Sequence, residues 1–204
     1  MGLLSTSASI TRYKVQGEIS ESVIETIAKA LNKHSIKDID NEDTEKISGW
    51  TSFENPYRPD FEHFSFKIGA YLVFSLRIDQ KKVPTKIIKK HFSLEMSRKL
   101  AESGREYLSK NEKKDLKEHV TSILTARMPA TPNVYDIMWH YEEGLLWFFS
   151  TLKSANEELE TLFATTFKLN LIHLFPYTMA DLLFDLTDPE RDQLNKLNPT
   201  NFSE

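Results

Sequence analysis

Lysines carry the first chemical signal in this 204-residue sequence. The stretch "KKVPTKIIKKHF" holds Lys81, Lys82, Lys86, Lys89 and Lys90, and "LSKNEKKDLKEHV" holds Lys110, Lys113, Lys114 and Lys117. An ammonium group on a flexible stem meets phosphate as a point charge and does not read base edges by itself. On a helical wheel Lys110, Lys113, Lys114 and Lys117 fall within about 100° of arc. Leu116, Val120, Ile123 and Leu124 form the adjoining apolar stripe, and Glu112, Asp115 and Glu118 take the far side. In the preceding segment Ile88, Phe92, Met96 and Leu100 share one stripe, while Lys86, Lys90, Ser93 and Ser97 share another. Lys86 and Lys90 stand at i and i+4 and repel each other. One-sided charge of this kind leaves a field that attracts a polyanion. A single lysine-rich helix is usually just a solvated face, but two in succession point to a binding surface.

Other chemistries find less support. Pro59-Asp60 followed by Asp79-Gln80-Lys81 fits the loose PD…(D/E)-x-K pattern, in which two carboxylates hold Mg²⁺ beside a lysine. Asp60 lies in a proline-rich loop and Asp79 at a strand end, positions where acids serve as turn residues. His34, His63, His91, His119, His140 and His173 form neither H-x-H nor H-x-x-x-H, so no metal site is expected. There is no G-x-S-x-G stretch and no glycine-rich phosphate loop. Without cysteine the chain has no disulfide, thiolate nucleophile or Cys-based zinc site, which suits a reducing cytoplasm. The longest apolar run, "LLWFF", is too short to span a bilayer. We expect neither catalysis nor a cofactor.

The net charge of −4 conceals an asymmetry. Residues 81–127 hold 13 Lys and Arg against 6 Asp and Glu, a net of +7, so the rest of the chain nets −11. The basic segment must therefore be positioned by an acidic remainder.

The elements that would do so follow from periodicity. "ITRYKVQGE" alternates as a strand, and "SESVIETIAKALNKHS" carries Val23, Ile24, Ile27 and Leu31 at helical spacing behind a serine cap. "KISGWTSF" reads as a short strand, "ENPYRPD" as a loop, and "FEHFSFKIGAYLVFSLRID" as two pairing strands that turn near Gly69. Pro84 opens a helix that runs to about Ala101. Ser109 and Glu112 form a capping box that opens a second helix running to about Arg127. "VYDIMWHY" and "LLWFFST" flank "EEG" as a hairpin, "SANEELETLFATTFKL" is an amphipathic helix, and "NLIHLFPY" is a last strand. "TMADLLFDL" and "DPERDQLNKL" are short terminal helices, with frayed residues after them. Trp50, Trp139 and Trp147 lie in strands and should fill the core. The order predicts an α+β fold: antiparallel sheets with packed helices and a projecting antiparallel helical pair. We divide it into an N-terminal β-α-β sheet region at 1–82, the basic helical pair at 83–130, and a β-hairpin-α-β region with terminal helices at 131–204.

"SGWTSF", "YLVFSLRIDQKKVPTKIIKK", "LSKNEKKDLKEHV", "DIMWHYEEGLLWFFST", "SANEELETLFATTF" and "PYTMA" occur in the order seen in the bacterial recombination-associated RdgC family, which the chain resembles over roughly residues 8–180. The longer members continue past the point where this chain stops, so it reads as a short member. The resemblance implies a DNA-binding protein of the cytoplasm and nucleoid that takes duplex DNA with little sequence preference. It also implies a ring-shaped homodimer with a positive hole, and restraint of the strand-exchange recombinase. The matching basic residues are Lys82, Lys86, Lys89, Lys90, Lys110, Lys113, Lys114 and Lys117, to which Lys81 is added as a phosphate contact. The competing reading is a protein-interaction module whose basic helices dock an acidic partner, including the acidic half of a second copy.

Overall fold

The computed structural model describes residues 2–19, 22–40, 42–61 and 65–198. The fold is α+β, with strands β1 (Thr11–Gln16), β2 (Lys46–Thr51), β3 (Lys67–Ile68), β4 (Tyr71–Gln80), β5 (Thr131–His140), β6 (Leu145–Phe148) and β7 (Asn170–His173). The helices are α1 (Val23–Lys33), α2 (Thr85–Ser103), α3 (Lys110–Arg127), α4 (Lys153–Phe167), α5 (Pro176–Phe184) and α6 (Asp188–Lys196). The strands hydrogen-bond in the order β2-β4-β5-β6-β1-β7, with β3 added on β4. The predicted elements are all present. Much of the strand expected from "FEHFSF" falls on residues 62–64, outside the described set, as do the last residues expected to fray.

Two compact units share the chain. One comprises Met1–His34, Thr51–Leu76 and Tyr135–Glu204; the other comprises Ser35–Trp50 and Arg77–Val134. In the first, β1 pairs antiparallel with both β6 and β7, placing Tyr13 opposite Leu146 on one side and His173 on the other. Alternation along β1 buries Tyr13 and Val15 while Arg12 and Gln16 stay exposed, as a strand with one core face requires. Helix α4 buries Ala155, Leu159 and Phe163 at helical spacing. Phe163 and Phe167 meet Trp139 at ring separations of 5.2 and 5.5 Å, within the range of favourable aromatic pairs. Trp139 is thus a core residue, as is Trp50 in the other unit, whereas Trp147 is only half-buried against Tyr71.

The second unit carries the basic segment. Its base is a parallel bridge between Ser35 and Trp50, where the Ile36 N–H donates to the Trp50 carbonyl at 2.9 Å. That approach requires glycine at position 49, because a Cβ there would lie 2.5 Å from Ile36 Cα and 2.6 Å from Ile36 N. Both obstructing atoms are backbone and cannot swing away. Arg77 and Asp79 point to the same side of β4, two residues apart, and their side chains form an ion pair that leaves Asp79 1% exposed. Gly49→Ala is expected to destabilise the protein by about 2 kcal/mol or more, by the steric mechanism that gives the larger single-residue effects. A thermal melt unchanged from wild type would show that the bridge can relax.

Candidate nucleic-acid interface

Helices α2 and α3 form the candidate surface. Pro84, expected as the first helical residue, instead takes the N-cap of α2, one position before Thr85, and its fixed φ of −60° sets the entry. Gly104 ends α2 with a φ of +63°, a left-handed conformation that releases the chain into the turn. Ser109 then caps α3: its hydroxyl accepts from the Glu112 N–H at 3.3 Å, and its own N–H donates to Glu112 Oε2 at 2.8 Å. The Arg105 guanidinium donates to Glu112 Oε1 at 2.8 Å, so one carboxylate closes the turn from both sides. The Ser109 N–H and then Arg105 hold the Glu112 carboxyl down at about 2, from an ordinary 4.5.

The two helices are joined by an apolar seam. Phe92, Met96 and Leu100 of α2 and Leu124 of α3 pack on the buried Leu108, Leu116 and Val120. Of the stripes expected from sequence, Phe92, Met96, Leu100, Leu116, Val120 and Leu124 form the seam, whereas Ile88 is not among the residues packed there and Ile123 is 38% exposed. The early part of α2 meets the late part of α3, since His91, Glu95 and Arg98 line one groove with His119, Ile123 and Arg127. In this antiparallel pair the two lysine sets lie at opposite ends. An 18-residue helix is about 27 Å long, which spans roughly eight phosphate steps along one DNA strand.

The expected basic residues divide by environment. Lys82, Lys86, Lys89, Lys90, Lys110, Lys113, Lys114 and Lys117 are exposed. Lys81 is not: it is 4% exposed, and its Nζ donates to the Glu42 carbonyl at 2.8 Å. Its placement among the phosphate contacts is corrected, because a buried and occupied ammonium cannot reach a phosphate. One acid assigned to the far side also comes closer than a division into near and far faces implies. Glu118 lies 3.7 Å from Lys114 Nζ, and Lys114, Lys117 and Glu118 line one cleft with Asp43 and Glu45. Among the described residues, no other lysine of the exposed set has an acid within ion-pair distance.

The acids of 42–45 gave no signal in the sequence, since nothing local places that segment on α3. Tyr107, 76% exposed in the turn between the helices, was likewise not singled out.

The remaining chemistry is occupied. Both Asp79 oxygens face Arg77, and the Lys81 ammonium faces a carbonyl, so these parts of the PD…(D/E)-x-K pattern act as structural contacts. Asp60 is exposed in a loop of the first unit. Among the described residues, no group of three or more His, Asp and Glu is arranged to hold a metal ion. His63 lies outside those residues. In the first unit a cleft beside His173 contains Tyr13, whose hydroxyl donates to Asn156 Oδ1 at 2.7 Å and Glu160 Oε1 at 3.0 Å. Burial, then the Glu160 charge, pushes that phenol far above its ordinary value and keeps it protonated. Among the described residues no helix is long and apolar enough to cross a membrane.

The family model described as "Putative exonuclease, RdgC" matches residues 8–181, most of the chain and all of the helical pair. The chain belongs to the RdgC family. The expected membership, in a family of recombination-associated proteins, is thereby shown. No curated protein matches the sequence.

The cap of this RdgC-family hairpin has a pH signature. A folded-state carboxyl held near 2 contributes stability that is complete above 4.5 and lost as pH falls towards 2. An NMR titration of the Glu112 side-chain carboxyl is expected to show a midpoint near 2. A midpoint near 4.5 would mean that the Ser109 and Arg105 contacts do not persist in solution.

Proposed function

We propose that this chain binds the phosphate backbone of duplex DNA through the lysines of the α2–α3 hairpin, without reading base sequence and without cleaving. The observation that carries the reading is the set Lys86, Lys89, Lys90, Lys110 and Lys113, exposed on two packed helices, with Lys82 exposed just ahead of the first, all without acid partners among the described residues. Long cationic side chains on a rigid element neutralise phosphates and release counterions, and that term needs no base contact. At the start of α3 the lysines add to the positive end of the helix dipole, an arrangement that opposes helix stability and favours an approaching anion. The absence of cleavage is proposed on the Arg77–Asp79 pairing. Action as a homodimer in the bacterial cytoplasm, bound to the nucleoid, rests on the family resemblance.

The test is fluorescence anisotropy with a labelled duplex across a salt series, without divalent metal. Changing Lys86, Lys89 and Lys90 to Gln is expected to weaken binding at least tenfold near 0.1 M salt. If each contacts one phosphate, the slope of log K against log salt becomes shallower by about 2.7. A wild-type protein that binds no duplex even at low salt would contradict the reading. It would leave the basic helices to an acidic protein partner.

A further inference from the structure

Residues 42–45 run beside the C-terminal part of the α3 lysine stripe and are fastened there. The buried Lys81 holds the segment twice: its Nζ donates to the Glu42 carbonyl and its backbone N–H to the Glu45 carbonyl, both at 2.8 Å. From α3, the Ser122 hydroxyl donates to Asp43 Oδ2 at 3.3 Å. Just ahead of the segment, Asp40 Oδ1 accepts from the Ala130 N–H at 2.9 Å. Asp43 and Glu45 thereby line the same cleft as Lys114, Lys117 and Glu118, so three carboxylates share that cleft with two ammonium groups. The sequence around the segment, "KDIDNEDTEK", is the densest run of acid in the chain.

We propose that Asp43 and Glu45 are affinity-setting residues. They form an acidic strap, positioned by Lys81, that shares the cleft of Lys114 and Lys117 and confines DNA phosphates to the lysines outside it. The inference rests on the proposed DNA binding and deepens it. Carboxylates in fixed register with a lysine stripe occupy the place a phosphate would take, and they repel an incoming strand. Surface attractions of this size are individually small, so the strap lowers affinity without abolishing it. The same geometry gives Lys81 a role: it is a positioning residue that acts through the strap.

The test compares duplex binding by wild type and by the double variant Asp43→Asn with Glu45→Gln, using the same labelled duplex and salt series. Both side chains are exposed, so the fold should be kept. A control variant, Glu54→Gln with Asp192→Asn, makes the same change in net charge at exposed acids of the other unit. The strap variant is expected to bind about five- to tenfold more tightly. Its salt slope should steepen by up to about 1.8 as Lys114 and Lys117 become phosphate contacts. Adding Lys114→Gln and Lys117→Gln should erase that gain. Wild-type binding that the strap variant leaves unchanged, or a gain matched by the control, would overturn the strap while leaving DNA binding intact. No binding by either protein would overturn both.

Discussion

The packing of Phe92, Met96 and Leu100 against Leu108, Leu116 and Val120 makes one surface element out of two charged helices. Helix α2 buries no residue fully, so its order depends on that seam and on its ends. Isolated helices of this length are marginal in water, and lysines at i and i+4 weaken them further. The seam supplies the burial that offsets both costs. Gly104 and the Ser109–Glu112 cap then fix the turn, so the lysines are held on a scaffold and not on a loose segment. Preorganised charge of this kind loses less freedom when a polyanion binds.

Local charge, not net charge, decides what the scaffold can hold. Towards the ends of the hairpin, Lys82 to Lys90 and Lys110 to Lys113 face solvent without acid partners among the described residues. Between them the stripe is answered by Glu118, Asp43 and Glu45. The chain's excess acid is therefore not only a diffuse background, because part of it is aimed at the basic element. A duplex lying along the hairpin would meet two positive zones separated by a mixed one. On the proposed function, such a surface would bind through phosphates and tolerate any sequence.

Much of this was legible in the sequence because the signals are local. Alternation in "TRYKVQ", the helical repeat in α1 and α4, and the S-x-x-E cap at Ser109 each name an element from within a few residues. The apolar stripes of α2 and α3 foretold their seam for the same reason. What escaped was tertiary. Lys81 looks like its neighbour Lys82, yet one lies inside and the other outside. The difference depends on a hydrogen bond to Glu42, which lies 39 residues earlier. Asp79 reads as a turn acid or a metal ligand, whereas its carboxylate pairs with Arg77, two residues earlier on the same strand. Glu118 sits 40° from Lys114 on a wheel, close enough to pair, so a wheel divided into near and far sides overstated the segregation of charge.

On the proposed function, the α2–α3 hairpin is where this RdgC-family chain meets DNA. Amide chemical-shift mapping of the isotopically labelled protein with a short unlabelled duplex tests it most directly. Shifts are expected to concentrate at residues 82–90 and 110–113, with the Tyr13–His173 cleft of the other unit unmoved. Shifts centred on that cleft, or spread without regard to the lysines, would contradict it.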